Sequence, residues 1–175
     1  MIIVNLFGAP GAGKSTGAAY IFSQLKMQGI NAELVTEFAK DKVWEGSKAV
    51  FENQAYIFGK QYFRISRCAN QVDVIVTDSP LLLSLLYNND EVLGDTFNNL
   101  VRKVFKSFDN RNYYIARVKE YNPVGRFQTE EQSDEKANEL LVLLNNESID
   151  YQIQPGEIAG YQKIVEDIIK EIKGD

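Results

Sequence analysis

Ile2-Ile3-Val4-Asn5-Leu6-Phe7-Gly8-Ala9-Pro10-Gly11-Ala12-Gly13-Lys14-Ser15-Thr16 is the stretch on which the fold of this chain turns. Residues 2–7 form a short, mostly apolar run that stops at glycine, the pattern of a buried strand. Beyond the glycines, Ala18, Ile21, Phe22 and Leu25 share one helical face, which predicts a helix over 14–28 with Gly29 as its stop. The spacing G-x-x-x-x-G-K-S therefore lies between a strand and a helix, where it carries meaning. Glycines let the backbone turn its amides toward one point, and the helix adds the positive end of its dipole. Gly8, Ala9, Pro10, Gly11, Ala12, Gly13, Lys14, Ser15 and Thr16 are thus expected to wrap the phosphates of ATP. Lys14 would reach the β- and γ-phosphates and the Ser15 hydroxyl would ligate Mg²⁺.

Working outward, 32–36 reads as a second strand, and 37–47 as an active-site loop or short helix. Residues 49–68 read as a long helix. Residues 72–77 are a third strand, five of the six β-branched. The run Val74-Ile75-Val76-Thr77-Asp78 ends in a carboxylate, the form of a Walker B strand, so Asp78 is expected to bind Mg²⁺ directly or through water. Pro80 can open a short helix. Phe97, Leu100, Val101, Val104, Phe105 and Phe108 recur at amphipathic spacing and predict a helix over 96–108. A fourth strand over 113–118 is followed by a polar loop over 120–128. Thr129-Glu130-Glu131-Gln132 has capping-box spacing and starts a helix to about 145. A fifth strand over 149–154 turns at Pro155-Gly156 into a last helix through 172. Strands and helices alternate throughout, so we expect one α/β domain over 1–175 with helices on both faces of a five-stranded parallel sheet. No internal repeat or linker interrupts it.

Composition narrows the chemistry. The chain has no histidine, which excludes a Ser-His-Asp triad, a Cys-His pair and His-based zinc sites. A general base must then be a carboxylate, lysine, tyrosine or water. The net charge of −5 argues against a protein that coats nucleic acid through global basicity. The single cysteine, Cys68, cannot form an internal disulfide and suits a reducing, cytoplasmic setting. No apolar run approaches membrane-spanning length, and the first residues read as a strand rather than a signal peptide.

The absences around Asp78 sort the nucleotide-dependent classes. Ser79 follows it where motor ATPases place a second carboxylate, and position 81 is Leu81, so no Asp-x-x-Gly switch is present. Neither an Asn-Lys-x-Asp guanine motif nor a Leu-Ser-Gly-Gly-Gln transporter motif occurs. These features favour a kinase.

On the acceptor side the chain resembles known families. Val35-Thr36-Glu37-Phe38, with Trp44 beyond, is similar to the strand-end Thr-Glu-Pro segment of deoxynucleoside kinases. Phe51-Glu52-Asn53-Gln54-Ala55-Tyr56 is similar to their base-reading helix. The same stretches resemble the ribosylnicotinamide kinase domain of bifunctional NAD-biosynthesis regulators, and phage nucleotide and polynucleotide kinases share the loop and the general order. The resemblance covers roughly 1–86 and continues as topology. It implies the P-loop kinase fold, a three-layer sandwich with strand order 2-3-1-4-5. It also implies Glu37 as the base that takes the acceptor's hydroxyl proton, and Gln54 as a reader of its base. Two departures stand out. Phe38 occupies the place of the proline, and Thr77-Asp78-Ser79 lacks the arginine of the Glu/Asp-Arg-Ser segment. Bottom-up, both Glu37 and Asp78 end strands and face the crevice where open α/β sheets bind ligands. One suits the metal and the other the proton; Glu37 is read as the base, with the reverse assignment open.

Arg126, beside Gly125 and Phe127, is the candidate lid arginine for charge developing during transfer. Lys60, Arg64 and Arg67 fall on one face of the acceptor-side helix, near Tyr56 and Phe63. They form either a solvated face or a track for acceptor phosphates, so Tyr56 and Arg64 join the acceptor candidates. The expected reaction is transfer of the γ-phosphoryl group of ATP to a hydroxyl of a nucleoside or nucleotide-like small molecule. A kinase acting on DNA or RNA, at a 5′ end or a hydroxymethylated base, is an alternative. So is an ATP-hydrolysing switch with no small acceptor. The oligomeric state is open.

Overall fold

The computed structural model describes residues 1–122 and 129–174, save the side chain of Lys48. Its strands are β1 (Ile2–Phe7), β2 (Ala32–Val35), β3 (Val74–Thr77), β4 (Asp109–Ala116) and β5 (Gln152–Pro155). Its helices are α1 (Lys14–Met27), α2 (Phe38–Trp44), α3 (Gln54–Ser66), α4 (Ser84–Tyr87), α5 (Gly94–Lys106), α6 (Glu130–Asn146) and α7 (Ile158–Lys173). The strands form one parallel sheet in the order β2-β3-β1-β4-β5, as expected.

Each face of the sheet buries its own apolar layer. On one side Val4, Leu6, Val74, Val76 and Ile115 pack with Ile21 and Leu25 of α1 and Ile164, Val165 and Ile168 of α7. On the other, Ile3, Phe7, Ile75 and Tyr114 pack with Phe58 and Ile65 of α3, Phe97, Val101 and Phe105 of α5, and Leu140 and Leu144 of α6. This is the three-layer sandwich. Among the described residues no helix is long and apolar enough to cross a membrane.

Several boundaries differ from the sequence reading. The helix expected over 49–68 is a 3₁₀ turn, Lys48–Glu52, followed by α3, because Asn53 breaks it. The Asn53 side chain accepts from the Tyr56 amide at 2.9 Å and caps the new helix. β4 starts at Asp109 rather than 113: Asn110 and Asn112 both accept from the Asn5 side chain, at 2.8 and 3.0 Å, which lets polar residues enter the sheet. β5 starts later, at Gln152, since Ile149 and Tyr151 pack against the core. The capping box at Thr129 and Gln132 is present, with both reciprocal bonds made.

The register positions the site. Asn5 of β1 and Val35 of β2 both pair with Thr77 of β3, so the three chains leave the sheet side by side. Gly8, Glu37 and Asp78 follow at the same carboxyl edge, where ligands bind in sheets of this kind.

Candidate active site

Gly13 is the N-cap of α1 and takes φ +101°, a left-handed conformation that a side chain would strain. A Cβ there would lie 2.4 Å from the Tyr161 hydroxyl, which itself donates to the Gly13 carbonyl at 2.9 Å. From the other face, the buried Ser133 of α6 donates to the Pro10 carbonyl at 2.7 Å. Two helices distant in sequence thus hold the loop. Lys14 Nζ donates to the carbonyls of Gly8 (2.7 Å) and Ala9 (3.1 Å), which keeps the ammonium over the loop.

Asp78 joins this loop to the turn after β2. Its side chain is buried, 4% exposed, and both oxygens are engaged. Oδ2 accepts from the Ser15 hydroxyl at 2.5 Å, and Oδ1 accepts from the Glu37 amide at 3.1 Å. Ser15 and Asp78 therefore offer adjacent oxygen donors, the hard ligands that Mg²⁺ takes alongside phosphate and water. These residues fit that ion.

Glu37 is the N-cap of α2 and lines the same cleft. Burial raises its carboxyl pKa above the ordinary 4.5; Lys14 opposes this and Asp78 adds to it. The cleft has a volume of about 520 Å³. Its lining includes Gly8, Pro10, Gly11, Gly13, Lys14, Ser15 and Thr16 of the loop, together with Trp44, Gln54, Ser84, Tyr87, Lys40 and Lys136. Gln54 is buried and its Nε2 donates to Ser84 Oγ at 3.2 Å. Tyr87 is pushed up to about 12 by burial, with Glu37 and Glu139 adding to the shift, so its hydroxyl keeps its proton.

Tyr56 and Arg64 lie outside this cleft. The Tyr56 ring meets Phe38 edge-on, with centroids 5.6 Å apart, and Lys60 sits over its face. Arg64 pairs with Asp41, donates to the Thr36 carbonyl at 3.1 Å and covers the Phe38 ring. It lines a separate polar depression with Thr36, Asp41 and Arg67. Arg126 lies outside the described residues.

Sequence reasoning missed Ser133, Tyr161, Ser84, Tyr87, Lys40, Lys136 and Gln61. One signal was available: Gln54, Phe58, Gln61 and Ile65 form a stripe on α3, and all four are buried. A glutamine on an apolar stripe marks a buried polar contact.

No protein-family model matches the chain, and no curated protein matches it. Solved structures do match. NadR protein in complex with NR superposes with a TM-score of 0.71 at 18% identity, over 99% of this chain and 50% of that one. Deoxyadenosine kinase from M. mycoides with bound dATP gives 0.56 at 20% identity, over 97% of this chain and 98% of that one. The same enzyme with products dCMP and a flexible dCDP gives 0.57 at 20%, over 99% and 100%. The chain has the fold of these kinases. It spans about half the length of NadR and nearly the whole of the deoxyadenosine kinase. These neighbours belong to the two kinase groups that the opening half of the sequence resembles.

Proposed function

We propose that this protein is an ATP-dependent kinase that phosphorylates a hydroxyl of a small, nucleoside-like acceptor. The observation that carries the reading is Asp78: one carboxylate bonds the phosphate loop through Ser15 and the Glu37 turn through its amide. A phosphate cradle and an acidic acceptor wall are thereby held in one cleft.

The loop amides and Lys14 bind the β- and γ-phosphates and bear the charge they carry. Ser15 and Asp78 would hold Mg²⁺, which when bound would neutralise phosphate charge. Glu37 takes the proton of the acceptor hydroxyl as that oxygen bonds to the γ-phosphorus and the bond to ADP breaks. Its raised pKa makes it a better proton acceptor than an ordinary carboxylate. Gln54, held by Ser84, reads the far end of the acceptor, beside Trp44. The proteins that share the fold include one seen with NR and one with products dCMP and dCDP, in keeping with an acceptor of this size. Arg64, neutralised by Asp41 outside the cleft, favours such a molecule over a nucleic-acid strand.

Incubation with γ-labelled ATP and a panel of nucleosides, nucleotides and oligonucleotides tests this. Label is expected in a nucleoside or nucleotide and appears roughly 10²–10⁴-fold more slowly with Glu37→Gln. Label confined to oligonucleotides, or ADP release that needs no acceptor, would refute it.

A further inference from the structure

Glu37 sits in the short connection between β2 and α2, and contacts from Asp78 and from α3 fix the backbone around it. Its own amide is held by Asp78 at 3.1 Å. Two more come from one side chain, Gln61 of α3. Gln61 Oε1 accepts from the Phe38 amide at 2.9 Å, and its Nε2 reaches the Thr36 carbonyl at 3.4 Å. Gln61 is 4% exposed, so its amide is withdrawn from water and serves these partners. The Phe38 amide is one of the orphan donors at the start of α2, and the Glu37 side chain makes no capping bond to that helix. Gln61 thus supplies from another helix the cap that Glu37 does not, which leaves the Glu37 carboxylate to the cleft. Arg64, one turn along α3, adds a bond to the same Thr36 carbonyl and the ion pair with Asp41 of α2.

We propose that Gln61 is a positioning residue, which aims the Glu37 carboxylate at the acceptor by gripping the peptide groups on both sides of it. The inference rests on the reading of Glu37 as the base. Gln61 touches neither phosphate nor proton in this role. It sets where the base stands, and a displacement of about 1 Å at such a group can lower a rate by roughly 10²-fold.

Two substitutions test it, Gln61→Met and Gln61→Leu. Both remove the two bonds while keeping a side chain of similar size, and a thermal melt shows which retain the fold. Each is compared with Glu37→Gln and with the double variants, using ATP and the nucleoside most strongly labelled in the panel above. The expected result is a kcat lowered by about 10- to 100-fold, with ATP Kd and acceptor KM within about twofold of the parent. Adding either Gln61 substitution to Glu37→Gln should then lower the rate no further, because both act through one group. Losses that multiply in the double variant would overturn the inference, as would a loss accounted for by weaker ATP binding. A Gln61→Met protein with parental kcat beside a crippled Glu37→Gln would overturn this inference alone. A fully active Glu37→Gln would sink the base assignment and take the inference with it.

Discussion

Replacing Gly156 with alanine should injure the phosphate loop from more than 140 positions away in the sequence. Gly156 follows β5 and is buried, and its amide donates to the Ala116 carbonyl at 2.8 Å. A Cβ at this position would lie 2.1 Å from the Ala12 carbonyl oxygen and 3.0 Å from that of Ala116. The first distance is more than 1 Å short of ordinary contact, and both atoms are backbone, so no rotamer change relieves the clash. Either β5 withdraws from the sheet edge or Ala12 moves, and Ala12 belongs to the loop. Overpacking of this kind costs about 1–3 kcal/mol. In a chain of this size that lowers Tm by roughly 2–12 °C. A loop displaced by about 1 Å should also lose on the order of 10²-fold in turnover. Gly59→Ala is the control. It lies in α3, where an added Cβ meets nothing within 4 Å, and it should be neutral or stabilise by up to about 1 kcal/mol. The measurements are thermal melts without nucleotide and ATP titration by calorimetry. A Gly156→Ala protein with parental Tm and parental ATP affinity would refute the packing argument.

Lys14→Ala should abolish transfer and remove the rise in Tm that ATP confers, while the melt without ATP stays within about 1–2 kcal/mol of the parent, the cost of losing hydrogen bonds such as those to the Gly8 and Ala9 carbonyls. Glu37→Gln should lower kcat by roughly 10²–10⁴-fold, and the acid limb of the parent's pH–rate profile should lie above the ordinary carboxylate value of 4.5. The same substitution should stabilise the protein without ATP at neutral pH. A carboxyl whose folded pKa is raised opposes folding above its unfolded value, so the gain appears as pH rises through that window and vanishes below it. Arg102 donates to both oxygens of Glu147, at 2.7 and 2.9 Å, and these bonds hold the Glu147 pKa down. Glu147→Gln should therefore cost no more than about 1 kcal/mol in urea at pH 7, Arg102 being a third exposed, and the difference should fade as pH drops through the folded pKa.

The fold was legible because its signals are local. Val74-Ile75-Val76-Thr77 is a buried strand by composition, and all four of its residues are buried. The α5 stripe of Phe97, Val101 and Phe105 is buried as its spacing demands. The start of β4 was misread because its side chains answer to a distant partner. Asn110 and Asn112 enter β4 because Asn5, more than 100 positions earlier, donates to both. The two carboxylates of the candidate site were placed at strand ends for the same reason. Glu37 and Asp78 end apolar strands, and a strand end is a place that sequence can find. What holds them could not be found that way. Gln61, Ser133 and Tyr161 act across elements, and each contact depends on how two helices lie against the sheet.

The basic stripe on α3 shows how tertiary contact changes what a sequence pattern means. Lys60, Arg64 and Arg67 share a helical face, and three cations in line could each neutralise a phosphate. In the folded chain Arg64 is paired with Asp41 and bonded to the Thr36 carbonyl, so a phosphate would have to displace a carboxylate already in contact. The counterion release that drives binding to a strand shrinks with each cation neutralised internally. Lys60 lies over the Tyr56 ring, outside the cleft that holds Glu37. Besides Lys14 of the loop, the lysines that line that cleft are Lys40 and Lys136, on two different helices, α2 and α6. Two lysines outside the phosphate loop, around a cavity of about 520 Å³, suit one compact ligand, and a strand would need its charges along a groove. The electrostatics of α3 serve instead to fasten α2, and with it Glu37, to the wall of the cleft.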